Sequence, residues 1–382
     1  MKTRAAVLWD VGQDWAIEEV DLDDPGPGEI IVKTKAAGLC HSDEHVMQGD
    51  MSIANAAASA LGIPEMFPII GGHEGSGEVI ALGPGVTSVA VGDHVAASFV
   101  PSCGRCRWCS TGKQTLCDLG AKIFEPGMIT DGRVAHHIGG RDVNVLAKLG
   151  TFSEHLLVSE NSVVRIEPDL PWGPAALVSC GVSTGWGSAV HRAAVEAGDT
   201  VVVIGVGGIG ANAVQGARMA GAKRVVAIDP VEFKREMAMQ FGATHTYASL
   251  EEATPAITEM TWGQNADKVI ITVGLVEGAM IAPAMAVVRK GGTLVVTSIA
   301  NMMSTQVELS LFDLAMSNKE IKGTIFGSGN PRYDIPNLLS MYTSGSLKLD
   351  ELITRTYPLE QINDGYQDLR DGKNIRGVIV FD

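Results

Sequence analysis

A run of closely spaced glycines directly after an apolar segment constrains the fold of this chain most strongly. Thr200–Ile204 has the composition of a buried strand, and Gly205-Val206-Gly207-Gly208-Ile209-Gly210 follows it without a break. The residues that come next, as far as Ala220, are compatible with a helix. Glycines at this spacing let backbone N–H groups approach a pyrophosphate at a helix N-terminus. The segment therefore predicts the strand, turn and helix of a dinucleotide-binding unit.

An aspartate after the next apolar segment strengthens this prediction. Asp229 follows Gly210 by nineteen residues and comes directly after Arg224–Ile228. A carboxylate at that position can accept hydrogen bonds from both hydroxyls of an adenosine ribose, which favours NAD over NADP. We predict that the cofactor is bound by Gly205, Gly207, Gly208, Gly210 and Asp229. A plain tight turn for the glycines and a solvated strand end for Asp229 are the alternative interpretations.

Strands alternate with helical stretches around this motif. The predicted strands are Thr200–Ile204, Arg224–Ile228, Lys268–Val273, Thr293–Thr297 and Ile321–Phe326. Such alternation builds a parallel sheet with helices on both faces, the doubly wound α/β arrangement of the Rossmann fold. We therefore assign residues 181–324 to an NAD-binding Rossmann domain.

The remainder of the chain has the pattern of irregular, β-rich structure. Glycine and proline separate predicted strands at Ala5–Trp9, Glu29–Ala37, Gly77–Leu82 and His94–Phe99. Residues 50–67 and 119–149 resemble long loops. A predicted helix at Ile335–Thr343 and a strand at Gly377–Phe381 are too little to form a domain alone. We expect them to return to the first domain, which then comprises residues 1–180 and 325–382.

Composition and charge narrow the partners and the compartment. The 382 residues carry a net charge of −15, which repels phosphate backbones and anionic membrane surfaces, so we expect no nucleic-acid partner. The N-terminus lacks the apolar core of a signal peptide. The longest uncharged run, residues 200–217, contains five glycines and does not resemble a membrane span. These features predict a cytoplasmic protein that does not enter a membrane.

Cysteine spacing points to a metal. Four of the six cysteines, Cys103, Cys106, Cys109 and Cys117, fall within fifteen residues, and in a chain without an export signal such clustering favours a metal over disulfides. Four thiolates in one loop close a tetrahedral structural zinc site with no open position. An iron–sulfur cluster and unliganded buried cysteines are the alternatives. Spacing alone assigns no role to Cys40 and Cys180.

Several further segments resemble the zinc-containing medium-chain alcohol dehydrogenase family along nearly the whole chain. These are GLCHSD at 38–43, GGHEG at 71–75, SCG at 179–181, GPGV at 83–86 and VGDHV at 91–95. The resemblance implies a Rossmann domain plus a β-rich, GroES-like catalytic domain. It also implies an enzyme with NAD and two zinc ions per subunit, a small alcohol or aldehyde substrate, and a homo-oligomer, either dimer or tetramer. The rival interpretations are a zinc-free quinone reductase and a binding protein that is stabilised by zinc but has no activity.

The same resemblance implies a catalytic centre. Cys40, His73 and Cys180 are expected to hold the catalytic zinc and to leave a fourth position for water or substrate. Asp43 is expected to orient His73, and Glu74 to lie behind the metal.

Proton transfer and cofactor binding complete the implied site. Ser42 is expected to touch the substrate hydroxyl and to pass its proton through the cofactor ribose to His45, for which a plain surface histidine is the alternative. The positions expected to contact the cofactor are His41, Thr184, Lys234 and Arg376. Many members of the family carry arginine where this chain has His41.

Three stretches are similar to one branch of this family, the nicotinoprotein or NDMA-dependent alcohol dehydrogenases, which are often associated with the redox cofactor mycofactocin. They lie at residues 106–112, 229–236 and 326–332. This narrower resemblance implies that NAD stays bound and is reoxidised in place by a second substrate or an external redox acceptor. A thiol-adduct formaldehyde dehydrogenase and an ordinary NAD-exchanging alcohol dehydrogenase are the alternatives.

Overall fold

Antiparallel strands dominate the N-terminal half of the chain. The computed structural model describes residues 1–123 and 125–382. Its strands in this half are β1 (Lys2–Leu8), β2 (Ala16–Leu22), β3 (Glu29–Gly38), β4 (Ile69–Ile70), β5 (Gly75–Leu82), β6 (His94–Ala97), β7 (His136–Ile138), β8 (Arg141–Asp142), β9 (Asn144–Val145), β10 (His155–Ser159) and β11 (Val163–Arg165). The helices are α1 (His41–Gln48), α2 (Asn55–Leu61), α3 (Arg107–Ser110) and α4 (Trp172–Leu177).

Parallel strands and helices alternate in the next part of the chain. The strands are β12 (Thr200–Ile204), β13 (Arg224–Ile228), β14 (His245–Tyr247), β15 (Ala266–Ile271), β16 (Val288–Val296) and β17 (Glu320–Gly323). The helices are α5 (Gly181–Gly187), α6 (Gly208–Met219), α7 (Glu232–Gln240), α8 (Leu250–Met260), α9 (Ile281–Ala286) and α10 (Leu311–Met316). The C-terminal segment adds α11 (Pro331–Thr343), β18 (Ile353–Tyr357), α12 (Ile362–Arg370) and β19 (Arg376–Val380).

The chain divides into two units. The first unit contains Met1–Cys180 and Asn330–Asp382, and the second contains Gly181–Gly329. The second boundary therefore lies at Gly329, where the sequence suggested 324. Residues 325–329 belong to the second unit because Phe326–Ser328 packs closely against α5. A Cβ on Gly327 would lie only 2.7 Å from the Cα of Gly187.

The sheets of the first unit bring distant segments together. One runs in the order β8-β7-β2-β1-β4-β9, and the other in the order β11-β6-β5-β3-β19-β18 with β10 also paired to β3. Strand β19, from the end of the chain, pairs antiparallel with β3, so that Val378 lies opposite Gly38. An aromatic core lies behind these strands, in which the rings of Trp15 and Phe152 meet edge to face at 5.7 Å. The elements that carry the site described below rest on this core.

The sheet of the second unit is parallel and follows the order β14-β13-β12-β15-β16-β17. Its central strand β12 is fully buried at Val201, Val202 and Val203, because helices cover both faces of such a sheet. This strand order is the one that places a dinucleotide at the carboxyl end of the first strand. The architecture confirms the predicted fold class, a Rossmann sheet with a separate β-rich unit.

Two segments expected as long loops contain regular structure, so that expectation is wrong. Residues 50–67 include α2, and residues 119–149 include β7, β8 and β9. The strands are only two or three residues long, and β7 is held by pairing with β2, from more than a hundred residues earlier. Strands this short carry no periodic signal of their own. Among the described residues, no helix has the length and hydropathy to span a bilayer.

Candidate functional site

A cluster of metal-ligating side chains lies inside the first unit. Cys40, His73, Glu74 and Cys180 each offer one donor atom, and these atoms lie within 4.8 Å of one another. All four residues are buried. We refer to them as the buried cluster.

The turns that carry the buried cluster depend on close backbone packing. Cys40 stands between β3 and α1 in an extended conformation, and His73 lies in the turn from β4 to β5. The turn before His73 contains Gly71 and Gly72, and Gly72 has a φ of +87°. A Cβ on Gly72 would lie 2.7 Å from the backbone nitrogen of Phe152, so only glycine fits.

A buried carboxylate orients the imidazole of His73. Asp43, on α1, is fully buried, and its Oδ2 lies 3.1 Å from Nδ1 of His73. Its other oxygen accepts a hydrogen bond of 2.9 Å from the backbone N–H of Gly72. Because Nδ1 faces Asp43, Nε2 is the ring nitrogen left for a ligand. A carboxylate in this place is typical of metal-binding histidines.

The carboxylate of Glu74 forms a buried ion pair with Arg376 of β19. Gly38 is required next to this pair, because a Cβ there would collide with Glu74 and approach Nη2 of Arg376 to 2.9 Å. Burial raises the pKa of Glu74 to about 7, although the charge of Arg376 opposes the rise. The Nε of Arg376 is buried without a hydrogen-bond partner among the described residues.

The electrostatics of the buried cluster suit a divalent cation. The hydrogen bond from the Cys180 thiol, helped by the charge of His73, holds the pKa of Cys40 well below its usual range. That hydrogen bond and burial raise the pKa of Cys180. Burial lowers the pKa of His73, but Asp43 and Cys40 outweigh it and raise that pKa well above normal. A zinc ion that displaced the protons of Cys180 and His73 would meet two thiolates and one neutral imidazole, so the donors fit it.

The expected proton-transfer residues lie on α1. Ser42 and His45 are three positions apart and therefore face the same side of the helix. The Oγ of Ser42 lies 3.7 Å from Sγ of Cys40. His45 is only 5% exposed, which excludes the alternative of a plain surface histidine. The ring of His41 lies beside it, with 6.4 Å between the two ring centres.

The remaining cysteines form a second cluster within one loop, which we call the loop cluster. It consists of Cys103, Cys106, Cys109 and Cys117, whose sulfur atoms also lie within 4.8 Å of one another. Sγ of Cys103 lies 3.9 Å from Sγ of Cys109, and Cys106 and Cys117 are separated by the same distance. Sulfurs at the corners of a zinc tetrahedron with bonds of ~2.3 Å are ~3.8 Å apart. The four sulfurs fit that ion.

Backbone N–H groups of the loop point at these sulfurs. Cys106 N donates to Cys103 Sγ at 3.3 Å, and Cys103 N donates to Cys117 Sγ at 3.4 Å. Backbone hydrogen bonds from Cys109 and Asp118 lower the pKa of Cys106 to about 6, whereas burial raises that of Cys117 to about 12. The loop thus stabilises thiolate at Cys106 by itself.

The glycine-rich turn lies in the second unit, between β12 and α6. Gly205 has a φ of +95°, and a Cβ on it would lie 2.8 Å from the backbone nitrogen of Val273. A Cβ on Gly210 would collide with the carbonyl oxygen of Gly205. In contrast, a Cβ on Gly207, directly before Gly208 opens α6, would meet nothing within 4 Å. None of the described residues fills the space at Gly207, which is where a pyrophosphate approaches the backbone in such turns.

Both carboxylate oxygens of Asp229 are held by the backbone. They accept hydrogen bonds from Val206 N at 2.8 Å and from Val231 N at 2.9 Å. Arg235, on α7, donates to the carbonyl oxygens of Asp229 and Pro230, each at 2.9 Å. Arg235 was not predicted to lie at this site, although it stands only six residues after Asp229.

The other residues expected to contact the cofactor are Thr184 and Lys234 in the second unit and Arg376 in the first. Thr184 is buried on α5, and its Oγ1 has no hydrogen-bond partner among the described residues. Lys234 is half-buried on α7, next to Arg235. Arg376 belongs to the first unit, where it binds Glu74. An orphaned hydroxyl such as that of Thr184 suits a polar ligand.

Two supporting residues carried no sequence signal. The hydroxyl of Ser179 accepts a hydrogen bond of 3.1 Å from Gly75 N and thereby joins the two chain segments that carry Cys180 and His73. Asp50 lies 3.0 Å from the ring of His45. Neither contact follows from a motif, because each depends on the folded backbone.

The chain is similar to known alcohol dehydrogenases along its whole length. The alcohol dehydrogenase GroES-like domain matches residues 26–168, and the zinc-binding dehydrogenase domain matches residues 208–344. The chain is 52% identical over 380 residues to the NDMA-dependent alcohol dehydrogenase of Amycolatopsis methanolica, covering 100% of this chain and 99% of that protein. It is 48% identical over 381 residues to alcohol dehydrogenase B of Mycobacterium tuberculosis, with the same coverage. The crystal structure of benzyl alcohol dehydrogenase from Acinetobacter calcoaceticus superposes with a TM-score of 0.89 at 28% identity and covers 100% of both chains.

Proposed function

Since the chain belongs to the zinc-containing medium-chain alcohol dehydrogenase family, we propose that it exchanges a hydride between a small alcohol and NAD, or runs the reverse reaction with an aldehyde or ketone. The observation that carries this proposal is the buried cluster, a Cys–His–Cys donor set beside a serine. A structural zinc site is closed by four protein donors, whereas a catalytic site keeps one position open for water or substrate. With Glu74 paired to Arg376, the Cys–His–Cys set leaves that position open.

Each metal has its own donors in this proposal. Cys40, His73 and Cys180 would hold the catalytic zinc, and the loop cluster would hold the structural zinc. A zinc ion at the first site supplies Lewis acidity that makes a bound hydroxyl easier to deprotonate, and NAD supplies the hydride acceptor. The two donor sets support the proposal of two zinc ions per subunit.

The side chains around the buried cluster position groups and move protons. Asp43 holds Nδ1 of His73 and so fixes which nitrogen faces the metal. Ser42 would accept the proton of the substrate hydroxyl while it releases its own proton toward His45, further along α1. Arg376 balances the charge of Glu74 inside the unit.

The second unit would bind NAD. The turn at Gly207 and Gly208 would receive the pyrophosphate, and Asp229 would accept the ribose hydroxyls. Its carboxylate, held by two backbone N–H groups, would repel the extra phosphate of NADP. The guanidinium of Arg235 lies close enough to soften that repulsion, so we expect a clear but incomplete preference for NAD.

We further propose that NAD stays bound through successive turnovers. The name of the A. methanolica relative, an NDMA-dependent alcohol dehydrogenase, supports this proposal. A dissociation constant of ~1 nM corresponds to ~12 kcal/mol. With association at ~10⁶ per molar per second, NAD would then leave at ~10⁻³ per second, far below a typical turnover of ~10 per second. The reduced cofactor would have to be reoxidised in place.

One experiment tests both parts of the proposal. The desalted protein is denatured and its supernatant is assayed for NAD, and the native protein is then given a panel of alcohols with NDMA and no added cofactor. We expect about one NAD per chain and NDMA reduction that depends on the alcohol. An empty supernatant with activity that requires free NAD would retain the dehydrogenase but remove cofactor retention. Oxidation of formaldehyde only together with a thiol would replace the substrate class.

A further inference from the structure

Asp50 forms a close contact with the expected proton acceptor. Its Oδ2 lies 3.0 Å from Nδ1 of His45. The side chain of His45 is 7% exposed and that of Asp50 is 19% exposed, so water competes little for this contact. The pair is therefore partly desolvated, which strengthens a hydrogen bond to a carboxylate.

The backbone holds Asp50 in this position. Helix α1 ends at Gln48, and the next residue, Gly49, has a φ of +88° that turns the chain back over the last helical turn. The N–H groups of Asp50 and Met51 then both donate to the carbonyl oxygen of His45, at 2.9 and 3.1 Å. Ser52 adds a hydrogen bond of 2.7 Å from its hydroxyl to the carbonyl of Val46. These hydrogen bonds between the backbone and the end of α1 therefore fix the position of the Asp50 carboxylate.

Helix electrostatics give no independent reason for an aspartate here. The C-terminal end of a helix carries partial negative charge, which disfavours a carboxylate. Asp50 stands just beyond that end. The contact with Nδ1 of His45 is the interaction that can offset this cost.

We propose that Asp50 is a positioning residue for proton transfer, holding the hydrogen on Nδ1 of His45 so that Nε2 remains the proton acceptor. In a neutral imidazole, the hydrogen bond made by one nitrogen sets the tautomer and therefore the state of the other. Without Asp50 the ring can hold its hydrogen on Nε2, and that form cannot accept a proton there. The inference rests on the proposed function, in which His45 receives the proton from Ser42.

The tautomer is measured directly by NMR on the purified holoprotein labelled with ¹⁵N-histidine, above the titration midpoint of the ring. His45→Gln identifies the resonances of His45. We expect Nε2 of His45 to be unprotonated in the unaltered protein, and the Nε2–H form to increase in Asp50→Ala. Ser52→Ala is the matched control, because it loosens the same segment without touching the imidazole, and it should leave the tautomer unchanged. An unchanged tautomer in Asp50→Ala would overturn the proposal.

Turnover provides the second measurement. Asp50→Ala should reduce kcat by about 10-fold, less than the ~100-fold lower limit for a group that transfers the proton directly. Asp50→Glu should restore part of this loss. In a His45→Ala background the Asp50 substitution should have no further effect, because its only route to the reaction is removed. An additive loss would assign Asp50 a merely structural role. If even the unaltered protein oxidises no alcohol, the proposed function fails while the tautomer result still stands.

Discussion

The two clusters of metal-ligating side chains are built in opposite ways. The loop cluster lies within residues 103–117, and its sulfurs are bound by N–H groups of the same segment. The buried cluster takes its donors from residues as far apart as Cys40 and Cys180, and its support comes from Asp43 and Arg376 on other elements. One cluster is therefore a local structure, whereas the other exists only after the unit has folded.

This difference predicts how much metal binding stabilises the fold at each cluster. A metal in the loop cluster contributes to folding directly, because much of residues 103–117 is exposed and little of the loop is held by burial. The donors of the buried cluster are already placed by strands, tight glycine turns and an aromatic core. Loss of a ligand should therefore unfold the loop cluster, whereas in the buried cluster it should only abolish activity.

The largest effect should follow Cys40→Ala. We expect a folded protein with one zinc ion fewer and a turnover at least ~10³-fold lower, because Lewis acidity is worth several kcal/mol to the reaction. Elemental analysis, circular dichroism and turnover are measured on the same sample. A variant that kept a tenth of the activity would remove the buried cluster from the mechanism.

Ser42→Ala should separate chemistry from metal binding within the buried cluster. We expect turnover to fall by ~100- to 10,000-fold, because the hydroxyl transfers the reacting proton. The zinc and NAD contents should not change, since Ser42 is not among the donors. Ser52→Ala serves as the control, and equal turnover of the two variants would argue against the proton relay.

Cys103→Ala should reverse the pattern seen for Cys40. We expect the loop to open more often, because it has lost a metal ligand. Trypsin should then cleave at Arg105 and Arg107 about 100-fold faster, which corresponds to a loss of ~3 kcal/mol in the free energy of local opening. Turnover per intact molecule at low temperature should stay within a few-fold of normal. Undiminished protease resistance would mean that the loop does not depend on a metal.

The comparison also explains what the sequence could predict. The spacing of Cys103, Cys106, Cys109 and Cys117 indicates a tetrahedral site by itself, because all ligands share one loop. The turn at Gly205–Gly210 is local in the same sense, since strand, turn and helix are consecutive. Both patterns could be interpreted without knowing the rest of the fold.

Residues brought together over long distances were not predictable in this way. Cys40, His73 and Cys180 were identified only through family resemblance, since their spacing has no pattern. The pair of Glu74 and Arg376 depends on β19 reaching β3 across more than 300 residues, and neither side chain signals it. The contacts of Asp50 and Arg235 depend on backbone turns that composition does not reveal.

Asp43→Asn should affect the buried cluster less than loss of a ligand. An amide can still accept a hydrogen bond, but it no longer offers a charge to Nδ1 of His73, and such supporting partners are worth ~10- to 100-fold in metal affinity. Competition with a chelator measures the affinity directly. Asp118→Asn, beside the loop cluster but with no carboxylate contact to its sulfurs, is the control. Equal affinities of the two variants would contradict the role of Asp43.

The smallest effect should come from a glycine of the loop cluster. Gly104 has a φ of +73°, and a Cβ on it would meet nothing within 4 Å, so Gly104→Ala should cost only the ~1 kcal/mol of placing an L side chain in the left-handed region. The loop should then open about fivefold more often, measurable as faster hydrogen exchange over residues 103–117, with zinc content and turnover unchanged. Gly120→Ala, equally open but without a positive φ, should change nothing.

The corresponding change in the buried cluster, Gly72→Ala, meets both a left-handed φ and the backbone of Phe152, and should therefore be far more damaging. If Gly104→Ala were as harmful as Gly72→Ala, the loop cluster would be as tightly packed as the buried one, and the contrast between a local and a scaffolded site would fail.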